Sequence, residues 1–103
     1  MNDLIAQAVR DILTVCHPQK ILLYNEKRTL STGKLKALSL CIIVPNGTNC
    51  RQLRTNLYLA ISVDISVSLN VYPANEWQTL LSEHSSYAAW IARKGQVVYE
   101  SET

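Results

Sequence analysis

The chain has 103 residues, a length typical of one domain that can bury its own core without disulfides or metal, so one domain over residues 1–103 is predicted. A formal net charge of +2 does not by itself indicate nucleic-acid binding. The three cysteines, Cys16, Cys41 and Cys50, are odd in number and lack C-x-x-C spacing, which predicts a reducing cytoplasm rather than a secreted disulfide framework. No apolar run approaches the roughly 20 residues of a membrane span, and the N-terminus lacks the basic segment of a signal peptide, so no membrane partner is expected.

Apolar spacing divides the chain into helices and strands. In chain order, the predictions are a helix over 4–13, strands over 21–24 and 38–44, a helix over 48–61, a strand over 63–72, helices over 73–81 and 85–94, and a strand over 96–100. The run 38–44 is nearly all apolar, which is typical of a strand buried on both faces. Trp77 and Trp90 fall on apolar helix stripes and are predicted to pack in the core. Strands separated by helices favour an α+β fold with α/β-type layers, helices packed on a sheet of about four strands.

The C-terminal phrase PANEWQTLLSEHSSYAAWIARKGQVVYE carries a family resemblance. A helix beginning at Pro73, a short helix ending in Ala92-Arg93-Lys94-Gly95 and a strand ending in Val98-Tyr99-Glu100 resemble the end of the minimal nucleotidyltransferases of the DNA polymerase beta superfamily. With the order of elements, the resemblance covers nearly the whole chain. It implies a nucleotidyltransferase-like mixed sheet.

In that family a strand ends in a Gly-Ser turn, the second strand carries Asp-x-Asp, and the next strand supplies a third carboxylate. The matching positions in this chain are Tyr24 and Asn25 for the turn, Ala37 and Ser39 for the pair, and Ser68 for the third acid. A different register would put Asp64 at the third position, as one residual acid on the same polar face. The resemblance therefore implies a degenerate member that lacks the Gly-Ser and Asp-x-Asp motifs.

The missing acids decide the predicted chemistry. Nucleotidyl transfer needs carboxylates that converge on Mg²⁺, and serine and alanine do not replace them as ligands. A tyrosine at the turn also adds a large side chain where glycine lets backbone N–H groups approach a phosphate. We expect no catalytic residue, no metal, no cofactor and no bound nucleotide. The alternative, an active or nucleotide-binding nucleotidyltransferase with an atypical site, stays open.

A basic stretch is the remaining signal, because no acidic residue occurs from Lys27 through Val63. Its cations are Lys27, Arg28, Lys34, Lys36, Arg51 and Arg54. They form either ordinary solvated surface or a surface that binds an anion or an acidic protein face. The resemblance implies a protein partner, such as a small helical HEPN-type protein in an antitoxin-like prokaryotic pair. A last strand at a sheet edge would allow pairing with a second copy instead. Nucleic acid is not supported.

Overall fold

The computed structural model describes residues 2–102, so Met1 and Thr103, the two ends of the predicted domain, lie outside the described residues. The elements are α1 (Asp3–Leu13), β1 (Lys20–Arg28), β2 (Leu35–Val44), α2 (Cys50–Ala60), β3 (Ser66–Pro73), α3 (Ala74–Leu81), α4 (Tyr87–Lys94) and β4 (Gln96–Glu100). The strands form one sheet in the order β3-β2-β1-β4. β1 runs antiparallel to β2 and β4, whereas β2 and β3 are parallel, so the predicted α+β class with a mixed sheet is confirmed.

Helices cover both faces of the sheet. On one face, α1 and α2 pack over alternate β2 residues that include Leu38, Leu40 and Ile42. On the other face, α3 and α4 pack over Cys41 and Ile43, which point the opposite way. The second half of β2 is therefore buried on both sides, as its continuous apolar run predicts.

Side-chain caps fix where three of the helices begin. The Asn2 side chain accepts from the Leu4 N–H at 2.8 Å and starts α1. Asn49 caps α2, which begins at Cys50 rather than at the predicted position 48, and Ser86 caps α4. The longest of the described helices, α1 and α2, have 11 residues each, and none of the helices within residues 2–102 could cross a membrane.

The first hairpin differs from the prediction. Residues 25–37 were expected to be a polar loop, but β1 continues to Arg28 and β2 begins at Leu35. The polar half of β1 lacks an apolar alternation because most of its side chains are exposed, although its backbone is paired with β2. The pattern of side chains therefore gave no sign of this extension.

β3 begins later than the alternation predicts, at Ser66 rather than Val63. Val63 and Ile65 pack on the α1/α2 core, so they keep the apolar period without belonging to the ladder. The segment before β3 is held instead by Asp11 of α1, whose carboxylate accepts from the N–H and the hydroxyl of Ser62, both at 2.8 Å. This contact joins α1 to the start of the third strand.

The Asp11 contact predicts a pH-dependent stability. Partial burial, the largest single influence, pushes the pKa of this carboxyl up, but the bonds from Ser62 and Gln7 and the charge of Arg10 together hold the pKa below its ordinary value. A pKa that is lower in the folded state adds stability that is present above the unfolded pKa of about 4 and is lost as the pH falls through the folded value. We expect Asp11→Ala to lower the free energy of unfolding by about 1 kcal/mol at pH 7 and by less near pH 2.

Urea unfolding of wild type and variant at both pH values measures this difference. Asp64→Ala is the matched control, because Asp64 lies in an exposed bend. An equal loss of stability at pH 7 and pH 2 in Asp11→Ala would show that the carboxylate charge contributes nothing.

Candidate functional site on the open face of the sheet

Small and polar side chains line one end of the sheet on the α3/α4 side. Ala37 and Ser39 of β2 pair in register with Ser66 and Ser68 of β3, and Asn25 of β1 pairs with Ser39 from the other side. We call these five residues the serine face. Ser39 and Ser68 therefore lie on one face of neighbouring strands, and partners across such strands lie about 4.8 Å apart.

The serine face is open because the helical layer ends before it. α3 and α4 cover Leu22, Cys41 and Ile43, which lie further along the same strands. Ser66 and Ser68 are exposed, and Ser39 is half-buried. The side chains of Ser66 and Ser68 are thus available to solvent at this end of the sheet.

No strand within the described residues places a carboxylate on the serine face. Glu26 pairs with Leu38, whose side chain belongs to the α1/α2 core, so Glu26 points to the opposite face. Asp64, the possible residual acid, lies in the exposed bend before β3, which begins at Ser66, so no strand pairing places its carboxylate beside Ala37 or Ser39. Within residues 2–102, no group of three or more His, Cys, Asp or Glu side chains is arranged to hold a metal ion.

Tyr24 closes the serine face on the helical side. Its ring is buried and packs with Cys41 and Trp77 in the α3/α4 core. Its hydroxyl accepts a hydrogen bond from Nδ2 of Asn70 at 2.6 Å. Tyr24 is on β1 and Asn70 on β3, with β2 between them, so the tyrosine side chain reaches across the central strand.

Tyr24 and Asn25 do not form a turn, contrary to the expectation from the resemblance. Both lie in the middle of β1, at a register shift between Leu23 and Asn25, and the hairpin turn follows only at residues 29–34. The shift is a β-bulge that places one extra residue in β1, and such bulges redirect side chains. The backbone at this position is extended strand rather than an N–H cradle.

An exposed aromatic pair stands beside Tyr24. The rings of Tyr87 and Trp90 on α4 are stacked, with centroids 5.6 Å apart and planes 13° apart, and each meets the Tyr24 ring edge-on. The prediction that Trp90 packs in the core is wrong, since it is 37% exposed, whereas Trp77 is buried as expected. The buried stripe of α4 is formed by Ala88, Ala89 and Ile91 instead.

The aromatic pair and Lys94 were not among the predicted site residues. A shallow depression of about 330 Å³ next to Tyr24 is lined by Asn25, Glu26 and Lys94, among others. Tyr87 and Trp90 are three positions apart, a spacing that puts two rings on one side of a helix. That spacing was visible in the sequence, but only the edge-on contacts of the two rings with Tyr24 show that the pair borders the serine face.

Burial removes two titratable groups of this region from acid–base chemistry. Desolvation raises the pKa of the Cys41 thiol to about 12, so the thiol stays protonated at neutral pH. Burial is also the main cause that raises the pKa of Tyr24, and the neighbouring Tyr87 adds to it, while the Asn70 bond opposes it. Neither side chain supplies a nucleophile or a base near pH 7.

The six basic residues fall into two groups. Lys27, Arg28, Lys34 and Lys36 are exposed on the hairpin that joins β1 to β2. Arg51 and Arg54 are exposed on α2, which packs on the opposite face of the sheet and begins beyond the far end of β2. The structure therefore does not bring the two arginines to the site, because a continuous basic stretch of sequence is divided between two layers.

Comparisons of the chain with known protein families, with curated proteins and with solved structures give no match. The resemblance to minimal nucleotidyltransferases therefore stays a prediction.

The Tyr24–Asn70 bond predicts a measurable coupling across β2. Tyr24→Phe removes the hydroxyl and leaves the half-buried Asn70 amide without this partner, so we expect a loss of about 1 kcal/mol in the free energy of unfolding. A double-mutant cycle with Asn70→Ala should give a coupling energy of similar size. Tyr99→Phe is the matched control, because no hydrogen bond involves the Tyr99 hydroxyl within the described residues. Additive losses in the cycle would contradict the bond.

Proposed function

We propose that this chain is a degenerate nucleotidyltransferase-fold module that does not transfer nucleotides and acts by binding a protein partner. The observation that carries the proposal is the pairing of Ser39 with Ser68, next to the pair Ala37 and Ser66. Carboxylates at positions 37, 39 and 68 would lie within one or two strand steps of each other, close enough to share a metal ion. The arrangement suits a metal site, and the residue types do not.

The burial of Tyr24 adds to the proposal that the chain does not transfer nucleotides. In an active relative, the matching position is a glycine that lets backbone N–H groups approach a phosphate. Here the tyrosine ring is buried across β2 and bonded to Asn70. A phosphate at that place would have to displace a ring that belongs to the core, so restoring acids alone would not restore the whole site.

Binding of a different protein is favoured over strand pairing with a second copy, because each edge of the sheet carries a feature that disfavours the addition of another strand. On the β3 edge, the Tyr58 hydroxyl accepts from the Leu69 N–H at 2.9 Å and so occupies a donor that another strand would need. On the β4 edge, the register shift against β1 leaves Val98 as an extra residue, and bulges of this kind disfavour edge pairing. A small helical HEPN-type protein, implied by the resemblance, is the first partner to test.

A nucleotide-binding function is the second candidate, favoured by one observation. The stacked rings of Tyr87 and Trp90 are exposed, and Lys94 lies four positions after Trp90 on α4, one helical turn away. Exposed aromatic rings with a nearby cation can hold a base and a phosphate. The burial of Tyr24 and the lack of acids weigh against the triphosphate part of such a ligand. Quenching of Trp90 fluorescence by ATP, GTP, CTP or UTP would favour this candidate.

A reducing cytoplasm is the compartment we propose. Cys16, Cys41 and Cys50 are all free thiols, and Cys41 is buried in the α3/α4 core. Free cysteines are typical of proteins kept reduced in the cell.

The proposal predicts that wild-type protein transfers no nucleotide. Incubation with Mg²⁺ and each α-labelled nucleoside triphosphate, alone and with a candidate partner, should leave every protein unlabelled. The physical reason is that Ala37, Ser39 and Ser68 cannot hold the metal that activates the attacking oxygen. Label transferred to any protein by the wild type, and lost in Ser39→Arg, would refute the proposal.

A gain of metal binding tests the geometry directly. The triple variant Ala37→Asp, Ser39→Asp, Ser68→Asp should be less stable than wild type without metal, because like charges repel at close range. Addition of Mg²⁺ should then raise its melting temperature, since a ligand that binds only the folded state stabilises it. The uncharged triple variant with Asn at the same positions is the matched control and should not respond. Equal responses of the two variants would show that the three positions do not converge.

A further inference from the structure

The hairpin that joins β1 to β2 has a rigid tip. The Thr29 N–H donates to the Lys34 carbonyl and the Gly33 N–H to the Thr29 carbonyl, both at 2.9 Å, and the hydroxyls of Thr29 and Thr32 are hydrogen-bonded to each other. Arg28 Nη1 donates to the Gly33 carbonyl at 3.0 Å. Gly33 has a φ of +70°, which glycine adopts without strain. The tip is therefore held in one shape by its own bonds.

An apolar side chain stands at the apex of this tip. Leu30 is 106% exposed, so it makes essentially no contact with the rest of the chain. A single exposed leucine on a flexible loop would need no explanation. On a preformed tip, however, its burial by a partner costs little conformational entropy, which is how rigid binding loops gain affinity.

The hairpin is also the most basic part of the chain. Residues 26–36 carry four of the ten Lys and Arg residues and one of the eight Asp and Glu residues. The Oε2 atom of that acid, Glu26, lies 3.6 Å from Nη2 of Arg28. The lysines are therefore exposed to solvent without an opposing charge on the hairpin. Lys27 pairs with Ala37, which places the base of the basic hairpin next to the serine face.

We propose that this hairpin is the arm by which the chain engages its protein partner, with Leu30 entering an apolar pocket whose rim carries carboxylates. This inference rests on the proposed partner-binding function and identifies the surface and the chemistry of the partner. Charge complementarity selects the acidic rim, and the exposed leucine selects the apolar pocket. Single-stranded nucleic acid fits less well, because binding it uses aromatic rings for stacking and residues 25–36 contain none.

Site-specific photo-crosslinking in the native host tests the arm. The full chain carries benzoylphenylalanine at position 30, and in separate strains at position 59 or 68. Leu59 on α2 is the matched control, since it is 82% exposed on a surface to which the inference gives no role. We expect position 30, and not position 59, to crosslink to one protein, at apolar residues flanked by Asp or Glu.

Binding of the purified, crosslink-identified protein by the full chain then measures the contribution of each group. Leu30→Ser should raise the dissociation constant about tenfold or more, as expected for an anchor residue, and Leu59→Ser should leave it unchanged. Lys34→Ala with Lys36→Ala should weaken binding more at low salt than at high salt, because exposed charges are screened. The charge-matched pair Arg51→Ala with Arg54→Ala should have little effect.

Three results would overturn the inference. The first is that position 30 gives no crosslink to a protein. The second is that Leu30→Ser binds the captured protein with unchanged affinity. The third is that nuclease digestion or extraction with anionic lipid vesicles removes the crosslinked product of position 30. Crosslinking from position 68 alone would leave the proposed partner-binding function standing while removing the hairpin from it. Nucleotide transfer by the wild type would instead overturn the proposed function itself.

Discussion

Burial of β2 on both faces is the constraint on which the rest of the structure depends. A strand whose residues 40–44 are all apolar needs cover on each side, and the chain supplies α1 and α2 for one face and α3 and α4 for the other. On the α3/α4 side, the helices cover Cys41 and Ile43 but not Ala37 and Ser39, which precede them on β2. The open site therefore lies at the end of β2 where the continuous apolar run has not yet begun.

The bulge at Tyr24 sets the charge of that open end. Without the extra residue, Tyr24 would pair with Ser39 and Glu26 with Ala37, which would bring the one acid of β1 onto the serine face. With it, Asn25 pairs with Ser39, Glu26 turns to the opposite face, and Lys27 takes the position beside Ala37. One inserted residue therefore makes the site end of the sheet neutral to basic. The same insertion leaves Tyr24 free to lie over β2 and reach Asn70.

The parts of the fold that could be predicted from the sequence are those in which a pattern of apolar residues shows which side chains are buried. The apolar run of β2 and the alternation of β3 fixed the faces of Ser39 and Ser68, because a one-residue error would have exposed an entire apolar set. The polar half of β1 carries no such signal, so the hairpin was missed. Trp90 was misplaced because the packed stripe of α4 is formed by the small residues Ala88 and Ala89 together with Ile91, whereas the prediction assigned it to the large ring. Arg51 and Arg54 are near the hairpin in sequence only, and sequence distance does not determine the layer.

The pairing of Ser39 with Ser68 also explains why small neutral residues suit these two positions. Two carboxylates at positions 39 and 68 would face each other across strands about 4.8 Å apart and would repel unless a cation lay between them. Small neutral residues at these positions avoid that repulsion. Serine fits the strand register and the packing of the sheet, and Tyr24 adds contacts to the α3/α4 core. The surface next to this open end is the basic hairpin, where Lys27 pairs with Ala37 and Leu30 is fully exposed.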